Sequence, residues 1–182
     1  MPRSARTELA GGVHHVTTRG NAKQPVFLDA TDRHVFLRLL AQVIPRFRWQ
    51  CLTYCLMNNH FHLLVLTIEP TLGPGMHTLN GRYAQYFNAR HRRDGRLWGD
   101  RFFSSPLRRE AHLLEAMRYI AWNPVSAGIC ARPEDWRWSG HRALLGLDRP
   151  GVVSVHETLA HFAADGGDAR SRYRALVGAR RT

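Results

Sequence analysis

The sequence has few cysteines and no long apolar run. Its three cysteines, Cys51, Cys55 and Cys130, form no Cys-x-x-Cys pair, so neither a zinc knuckle nor a disulfide framework is expected. No apolar stretch approaches the roughly 18 residues that a membrane span needs, and residues 1–15 lack the apolar segment of a secretory signal. We therefore expect a cytoplasmic protein, with Cys51 and Cys55 as small apolar residues on one face of a strand.

Acidic residues are scarce relative to basic ones. The 182 residues include 26 Lys and Arg against 14 Asp and Glu, which gives a formal charge of +12, and nearly all of the basic residues are arginine. Because the arginine fork matches phosphate oxygens in two-point contacts, this excess favours a polyphosphate partner. Nucleic acid is the predicted partner class.

Hydrophobic periodicity predicts a mixed α+β fold. A β-α-β-β-α-β order followed by a further helix is typical of a ferredoxin-like (split βαβ) fold, an antiparallel sheet with helices on one face. Residues 1–146 are predicted as one domain and residues 147–182 as a C-terminal helical appendage. The predicted strands are 13–19, 49–57, 61–68 and 101–107; the predicted helices begin near Asp29, Leu79 and Glu110 and end near Pro45, Arg90 and Pro124, and residues 69–75 are predicted as a loop.

His60 and His62 are the sharpest chemical signal. Alternate residues of a strand point to the same face, so both imidazoles project together, about 7 Å apart at Cα. Two imidazoles so placed can bind one divalent ion. An isolated His-x-His is also what two half-buried sheet histidines produce, so other residues must decide.

Tyr119 and Asn123 supply further chemistry. At about 100° per residue they lie off the apolar face of the third helix, one turn apart, so that a phenol and an amide stand side by side. A phenol attacks a phosphodiester poorly unless a metal ion polarises the phosphate. Two His nitrogens and an Asn oxygen suit Mg²⁺ or Mn²⁺, with zinc left open.

Basic and aromatic residues interleave between these elements. Arginines can hold the backbone of a single strand while rings stack on its bases. Of the neighbours Phe102 and Phe103, one is expected in the core and the other in solvent. The remaining histidines, His14 and His15 among them, are predicted to be structural or surface residues. The predicted DNA contacts are Arg19, Arg92, Arg93, Arg96, Trp98, Arg101 and Arg108.

Five ordered blocks resemble a known family. The chain is similar to the HUH-type single-tyrosine transposases of the IS200 kind, and among them to the REP-associated tyrosine transposases, over roughly residues 13–145. The blocks are VHHVTTRGN (13–21), MNNHFHLLV (57–65), GRLWGDRFFSSPL (95–107), RYIAWNPVSAG (118–128) and WRWSGHRAL (136–144).

The resemblance assigns roles to the chemical residues. It implies that His60 and His62 bind the metal, that Asn123 is a third ligand and that Tyr119 is the nucleophile. Two positions depart from the family pattern: Asn58 stands where a proline is common, and Ser126 where an arginine is common. We expect the first to be without effect and the second to remove a DNA contact.

The same resemblance implies a function and a substrate. The expected activity is that of a metal-dependent single-stranded DNA endonuclease, strand transferase and ligase. It would act next to a REP-like palindromic hairpin through a 5′-phosphotyrosine intermediate. Monomer and homodimer are both open, because in some relatives the tyrosine of one subunit serves the His pair of another.

Two other functions fit parts of the sequence. A non-catalytic module that binds hairpin DNA on the same fold would need neither the His pair nor the tyrosine. A zinc-dependent hydrolase that uses water would leave Tyr119 without a covalent role.

Overall fold

The computed structural model describes residues 10–163 and 167–179, and predictions that concern residues 1–9, 164–166 and 180–182 lie outside them. The predicted order of strands and helices is present. Short 3₁₀ turns follow β1 and α3. The elements are β1 Gly12–Arg19, α1 Ala30–Arg46, β2 Trp49–Leu56, β3 His60–Thr67, α2 Leu72–His91, β4 Phe103–Leu107, α3 Glu110–Ser126, α4 His141–Leu145, α5 Val155–Ala160 and α6 Ala169–Gly178.

The four strands form one antiparallel sheet in the order β2-β3-β1-β4. The β2-β3 hairpin thus places β3 beside β1, which is the order that a split βαβ fold requires. The register pairs Thr17 with His62 and Arg19 with His60. The α+β fold class is therefore confirmed, and the end of β1 lies next to the start of β3.

Helices cover both faces of the sheet, which corrects the prediction of helices on one face. Phe61 and Leu63 point into a core formed with α1 and α2. Leu64, on the other face, belongs to a second core formed with α3 and the C-terminal helices. The cause is visible in β3, whose residues are buried almost continuously, a pattern typical of a strand that is covered on both sides.

A β-bulge in β2 separates the two buried cysteines. The register shifts between Cys51 and Thr53, so Cys51 faces the first core and Cys55 the second. The prediction of one shared face was wrong, because one extra residue reverses the alternation of a strand. The C-terminal segment binds the bulge: the Ser154 N–H donates to the Cys51 carbonyl (2.8 Å) and the Thr158 hydroxyl to the Leu52 carbonyl (2.9 Å).

The second helix begins at Leu72, inside the segment predicted as a loop. Pro74 stands in its first turn, where the missing N–H has no intrahelical partner to lose. Gly75 is required by packing rather than by a turn, since a Cβ there would lie 2.2 Å from the ring of Trp49. Glycine and proline therefore indicated a loop where they in fact serve the start of a helix.

The C-terminal helices hold α3 in place. The indole N–H of Trp122 on α3 donates to the Val177 carbonyl of α6 at 2.7 Å. The buried phenol of Tyr173 lies 2.7 Å from Nδ1 of His141. The described residues of the segment predicted as an appendage (147–182) thus contribute to the second core, through Val153, Phe162, Tyr173 and Val177. Within the described residues, no helix is both long and apolar enough to cross a membrane.

Candidate active site

His60 and His62 lie at the start of β3, on the sheet face that α3 crosses. Both are buried, with 9% and 4% of their surface exposed. Their ring centroids are 5.0 Å apart and the ring planes nearly perpendicular. The alternation of the strand thus places the two imidazoles together, as the sequence predicted.

The turn before β3 orients His60. Nδ1 of His60 lies 2.7 Å from Oδ1 of Asn59, so it is this nitrogen that donates and Nε2 that keeps the lone pair. The neighbouring Asn58 accepts a 2.6 Å hydrogen bond from the buried guanidinium of Arg33, which lies against the rings of Phe27 and Trp138. Asn58, where the family pattern has proline, is thus fixed by a side chain of α1.

Strand β1 orients His62. Nδ1 of His62 lies 3.0 Å from Nε2 of His15 and 3.1 Å from the hydroxyl of Thr17. Nε2 of His62 is buried and has no hydrogen-bond partner within the described part of the chain. A buried polar atom without a partner is uncommon and calls for an explanation. Metal binding would supply such an explanation, because a neutral imidazole nitrogen is a common metal ligand.

His15 belongs to the site, although the sequence predicted it as a structural or surface residue. Its alternation with Thr17 and Arg19 on β1 was visible in the sequence, and those three side chains share one face. The missing information was the pairing of β1 with β3, which sets Thr17 opposite His62.

The surroundings keep the two imidazoles neutral. Burial first, and then the electrostatic effect of His15, His60 and Arg19, lower the pKa of His62 to about 3. The pKa of His60 is also lowered, first by burial and then by Arg19. Contact with the Asn123 side chain raises the pKa of both rings and so partly offsets these effects. Neutral imidazoles at neutral pH are the form that binds metal ions.

Tyr119 presents its ring to this pair from α3. Its side chain is 49% exposed, and its ring meets the ring of His62 edge to face, with centroids 5.5 Å apart. His15 is the second neighbour, at 5.9 Å. Asn123, one helical turn further on, influences both His60 and His62. One chain therefore brings the predicted nucleophile and all three predicted ligands together.

The donor set fits a divalent ion that also takes phosphate oxygens. Two neutral imidazoles and one amide leave coordination positions open, and the unpartnered Nε2 of His62 is a ready ligand atom. Among all the described residues, this site included, no group of three His, Cys, Asp or Glu side chains is arranged to hold a metal ion. The predicted third ligand, Asn123, carries an amide and is not one of these four residue types.

A basic groove adjoins the site at the end of β1. It has a volume of about 390 Å³, and its walls include Thr17, Arg19, Lys23, Arg101 and Phe103. Phe103 on β4 pairs with Thr17 and is 66% exposed, whereas the neighbouring Phe102 is 7% exposed. The prediction that one of the two phenylalanines is core is confirmed. The groove combines cations with an exposed aromatic ring, which is what binding of a single strand requires.

The structure separates the other predicted DNA contacts. Trp98 is half-buried, packs against Phe61 at 5.6 Å and donates its indole N–H to the Asn80 carbonyl, so it supports the core. Arg96 is exposed beside the strand-like bridge between Gly20 and Trp98.

The remaining three arginines are not among the residues that line the groove. Arg92 and Arg93 follow the end of α2, and the guanidinium of Arg93 stands over the ring of Phe87 at 5.6 Å. Arg108 follows β4 at the end where Leu107 pairs with Val13, opposite to the His60 end of the sheet. Of the predicted contacts, Arg19 and Arg101 are therefore the two that line the groove.

A wider cavity lies on the other side of Tyr119. Its volume is about 760 Å³, and Tyr119, Leu114, Trp122 and Leu176 are among its walls, with Arg118 beside them. Tyr119 thus borders this cavity together with Leu176 of α6, while its ring meets His62 and His15.

The chain is similar to solved structures of other proteins. A structure of a REP-associated tyrosine transposase bound to a REP hairpin superposes with a TM-score of 0.67 at 18% identity, covering 92% of this chain and 94% of that chain. A Deinococcus radiodurans protein assigned as a transposase gives a TM-score of 0.46 at 14% identity, covering 65% and 95%. The tRNA(His) guanylyltransferase of Saccharomyces cerevisiae gives 0.45 at 8%, covering 98% and 76%. No curated protein sequence matches the chain.

The family assignment rests on a sequence match. The family described as "Transposase IS200 like" matches residues 11–123, a span that contains every strand, His60, His62, Tyr119 and Asn123. This span is more than half of the 182 residues. The chain belongs to the IS200-like transposase family.

Proposed function

We propose that the protein is a metal-dependent single-stranded DNA endonuclease and strand transferase that cleaves beside a palindromic hairpin. One observation carries this proposal. The exposed phenol of Tyr119 lies in edge contact with the buried ring of His62, whose Nε2 has no partner among the described residues. A nucleophile and a free metal-ligand atom at one point are what phosphodiester cleavage by a tyrosine needs.

The proposed reaction is a transesterification. The Tyr119 oxygen bonds to phosphorus while the bond between phosphorus and the 3′ oxygen breaks, and the phenolic proton balances the proton that the 3′-hydroxyl gains. The product is a 5′-phosphotyrosine and a free 3′-hydroxyl. Because no water enters, attack by a 3′-hydroxyl reverses the step and joins strands, which makes the enzyme a ligase as well.

The chain's residues prepare this step. His60, His62 and Asn123 would hold Mg²⁺ or Mn²⁺, which neutralises charge on the non-bridging phosphate oxygens. Arg19, at the end of β1 opposite His60, is placed to bind the phosphate backbone as it approaches the site. The packing of Tyr119 against His62 and His15 orients the phenol before substrate binds.

The groove favours a hairpin with a single-stranded flank as the substrate. An exposed ring such as Phe103 can stack only on a base that is not paired inside a duplex. The transposase of similar fold was solved with a REP hairpin, which supports a palindrome as the double-stranded part. We therefore expect cleavage in the flank, weak binding of a fully paired duplex, and no cleavage of that duplex.

One assay separates the candidate functions. End-labelled hairpin DNA with a flank is incubated with the protein and Mg²⁺ or Mn²⁺ at about 0.15 M salt, beside a duplex of the same sequence, and analysed on denaturing gels. A protein-linked product supports the proposal. Unchanged DNA would indicate a non-catalytic hairpin-binding module, free ends without adduct would indicate hydrolysis by water, and equal cleavage of the duplex would contradict the substrate.

A variant tests the metal ligands. His62→Ala removes the atom that the proposal assigns to the metal, and we expect metal-stimulated cleavage to vanish. The exposed His77 on α2 offers a control, since His77→Ala removes an imidazole that lies outside the site. Full activity of His62→Ala at low Mn²⁺ would show that the metal assignment is wrong.

A further inference from the structure

His15 connects a proposed metal ligand to the nucleophile. Its Nε2 lies 3.0 Å from Nδ1 of His62, with the two ring centroids 5.1 Å apart. On its other side the His15 ring meets the ring of Tyr119 at 5.9 Å, nearly edge to face. The side chain is therefore in contact both with β3, which carries the His pair, and with α3.

A metal ion constrains how the two histidines share their protons. Nε2 of His62 can bind a metal only if it carries a lone pair, and the ring proton must then be on Nδ1. A partly buried Nδ1–H needs an acceptor, and the described neighbours of this nitrogen are Nε2 of His15 and the hydroxyl of Thr17.

The opposite arrangement would block the metal. If His15 donated from Nε2, the proton of His62 would have to sit on its own Nε2. That atom is buried and makes no hydrogen bond within the described residues, and a proton on it would occupy the position that the metal must take. The geometry thus favours acceptance by His15 over donation from it.

We propose that His15 is a positioning residue which accepts the hydrogen bond from Nδ1 of His62, leaves Nε2 of His62 to the metal, and seats the ring of Tyr119. This inference rests on the proposed function, because it concerns the same metal. It adds a residue that touches neither the phosphate nor the metal.

Two variants of His15 separate hydrogen bonding from packing. His15→Phe keeps a ring against Tyr119 but removes the acceptor, whereas His15→Gln retains an amide oxygen in reach of His62. His77→Phe, on the exposed side of α2, is the control for introducing a phenylalanine. Circular dichroism and Tm establish that each variant is folded.

The first readout is the affinity for Mn²⁺ without DNA, measured by titration calorimetry. We expect His15→Phe to bind Mn²⁺ about 10–100-fold more weakly, the usual effect of removing a hydrogen-bond partner from a metal-bound histidine. His15→Gln should recover most of this loss, and His77→Phe should bind like wild type. Wild-type affinity in His15→Phe, or equal losses in the Phe and Gln variants, would overturn the proposal.

The second readout is the tautomer of His62. Long-range ¹H–¹⁵N NMR spectra should show the Nδ1–H form in the wild type and in His15→Gln, and a mixture in His15→Phe. A predominantly Nε2–H form in the wild type would overturn the proposal.

Failure of the proposed function gives a different pattern. Mn²⁺ binding that depends on His15, without any DNA adduct, would contradict the nuclease and support the positioning role. Adduct formation by the wild type, with unchanged Mn²⁺ affinity in His15→Phe, would support the nuclease and contradict the positioning role. A wild type that binds no Mn²⁺ would overturn both.

Discussion

Replacing Phe103 by alanine tests whether the basic groove holds an unpaired DNA flank. Phe103 lies on β4 opposite Thr17, beside Arg19 and Arg101 in the groove wall, and two thirds of its surface is exposed (66%). A ring so exposed contributes little to the core. Its removal should therefore affect the DNA complex and leave the fold intact.

The magnitude follows from the cost of losing one stacking contact. Stacking of a base on an aromatic side chain is worth about 1–3 kcal/mol, which corresponds to about 5- to 140-fold in affinity. The change in folding free energy should stay within about 0.5 kcal/mol, as for most surface substitutions. The loss of binding thus exceeds the loss of stability.

The assay compares two DNAs. Fluorescence anisotropy at about 0.15 M salt measures the Kd for a hairpin with a single-stranded flank and for the same hairpin without it. Phe103→Ala should weaken binding of the hairpin with the flank by about 5- to 140-fold and leave binding of the hairpin without it unchanged. Ile68→Ala, which truncates another exposed apolar side chain (43%) after the far end of β3, is the control. Equal losses on both DNAs, or no loss on either, would refute the assigned path of the flank.

Three further predictions concern stability and assembly. Burial lowers the pKa of His141 to about 4 from 6.5, so its contribution is complete above pH 6.5 and is lost as the pH falls toward 4. This pKa difference corresponds to about 3 kcal/mol. The free energy of unfolding, measured in urea, should therefore fall by about 3 kcal/mol less between pH 6.5 and 4 in His141→Gln than in the wild type. Asp32→Asn removes the buried carboxylate that pairs with the guanidinium of Arg90, and it should lower the free energy of unfolding by about 2 kcal/mol in the same assay. The effect is smaller than for a fully buried pair because Arg90 is partly exposed. An unchanged urea midpoint would contradict this prediction. A mixture of Tyr119→Phe and His62→Ala should remain inactive in cleavage, whereas restored cleavage would show that sites are shared between subunits.

Local periodicity was enough to predict the placement of the central residues. The alternation of a strand sets His60 and His62 on one face, and the period of a helix sets Tyr119 and Asn123 one turn apart. Neither inference needs knowledge of any distant residue. The sheet order also follows from the element order, because a split βαβ arrangement allows few topologies.

Features that depend on distant pairing could not be predicted. His15 enters the site because the register between β1 and β3 brings it to His62. The two residues are 47 positions apart in the sequence. The bulge that turns Cys51 and Cys55 to opposite faces has no local signature. The half-buried state of Trp98 depends on its packing with Phe61, which the interleaved basic and aromatic pattern did not reveal.

The central claim is that Tyr119 forms a covalent bond with DNA. All five tyrosines lie among the described residues, and Tyr119 is the exposed one, so steric access also favours it over Tyr54, Tyr83 and Tyr86. The most direct measurement is peptide mapping by mass spectrometry of the adduct formed with hairpin DNA and Mn²⁺. We expect a 5′-phosphodeoxynucleotide on the peptide that contains Tyr119 and no adduct in Tyr119→Phe; an adduct on another residue, or wild-type cleavage by Tyr119→Phe, would contradict the assignment of Tyr119 as the nucleophile.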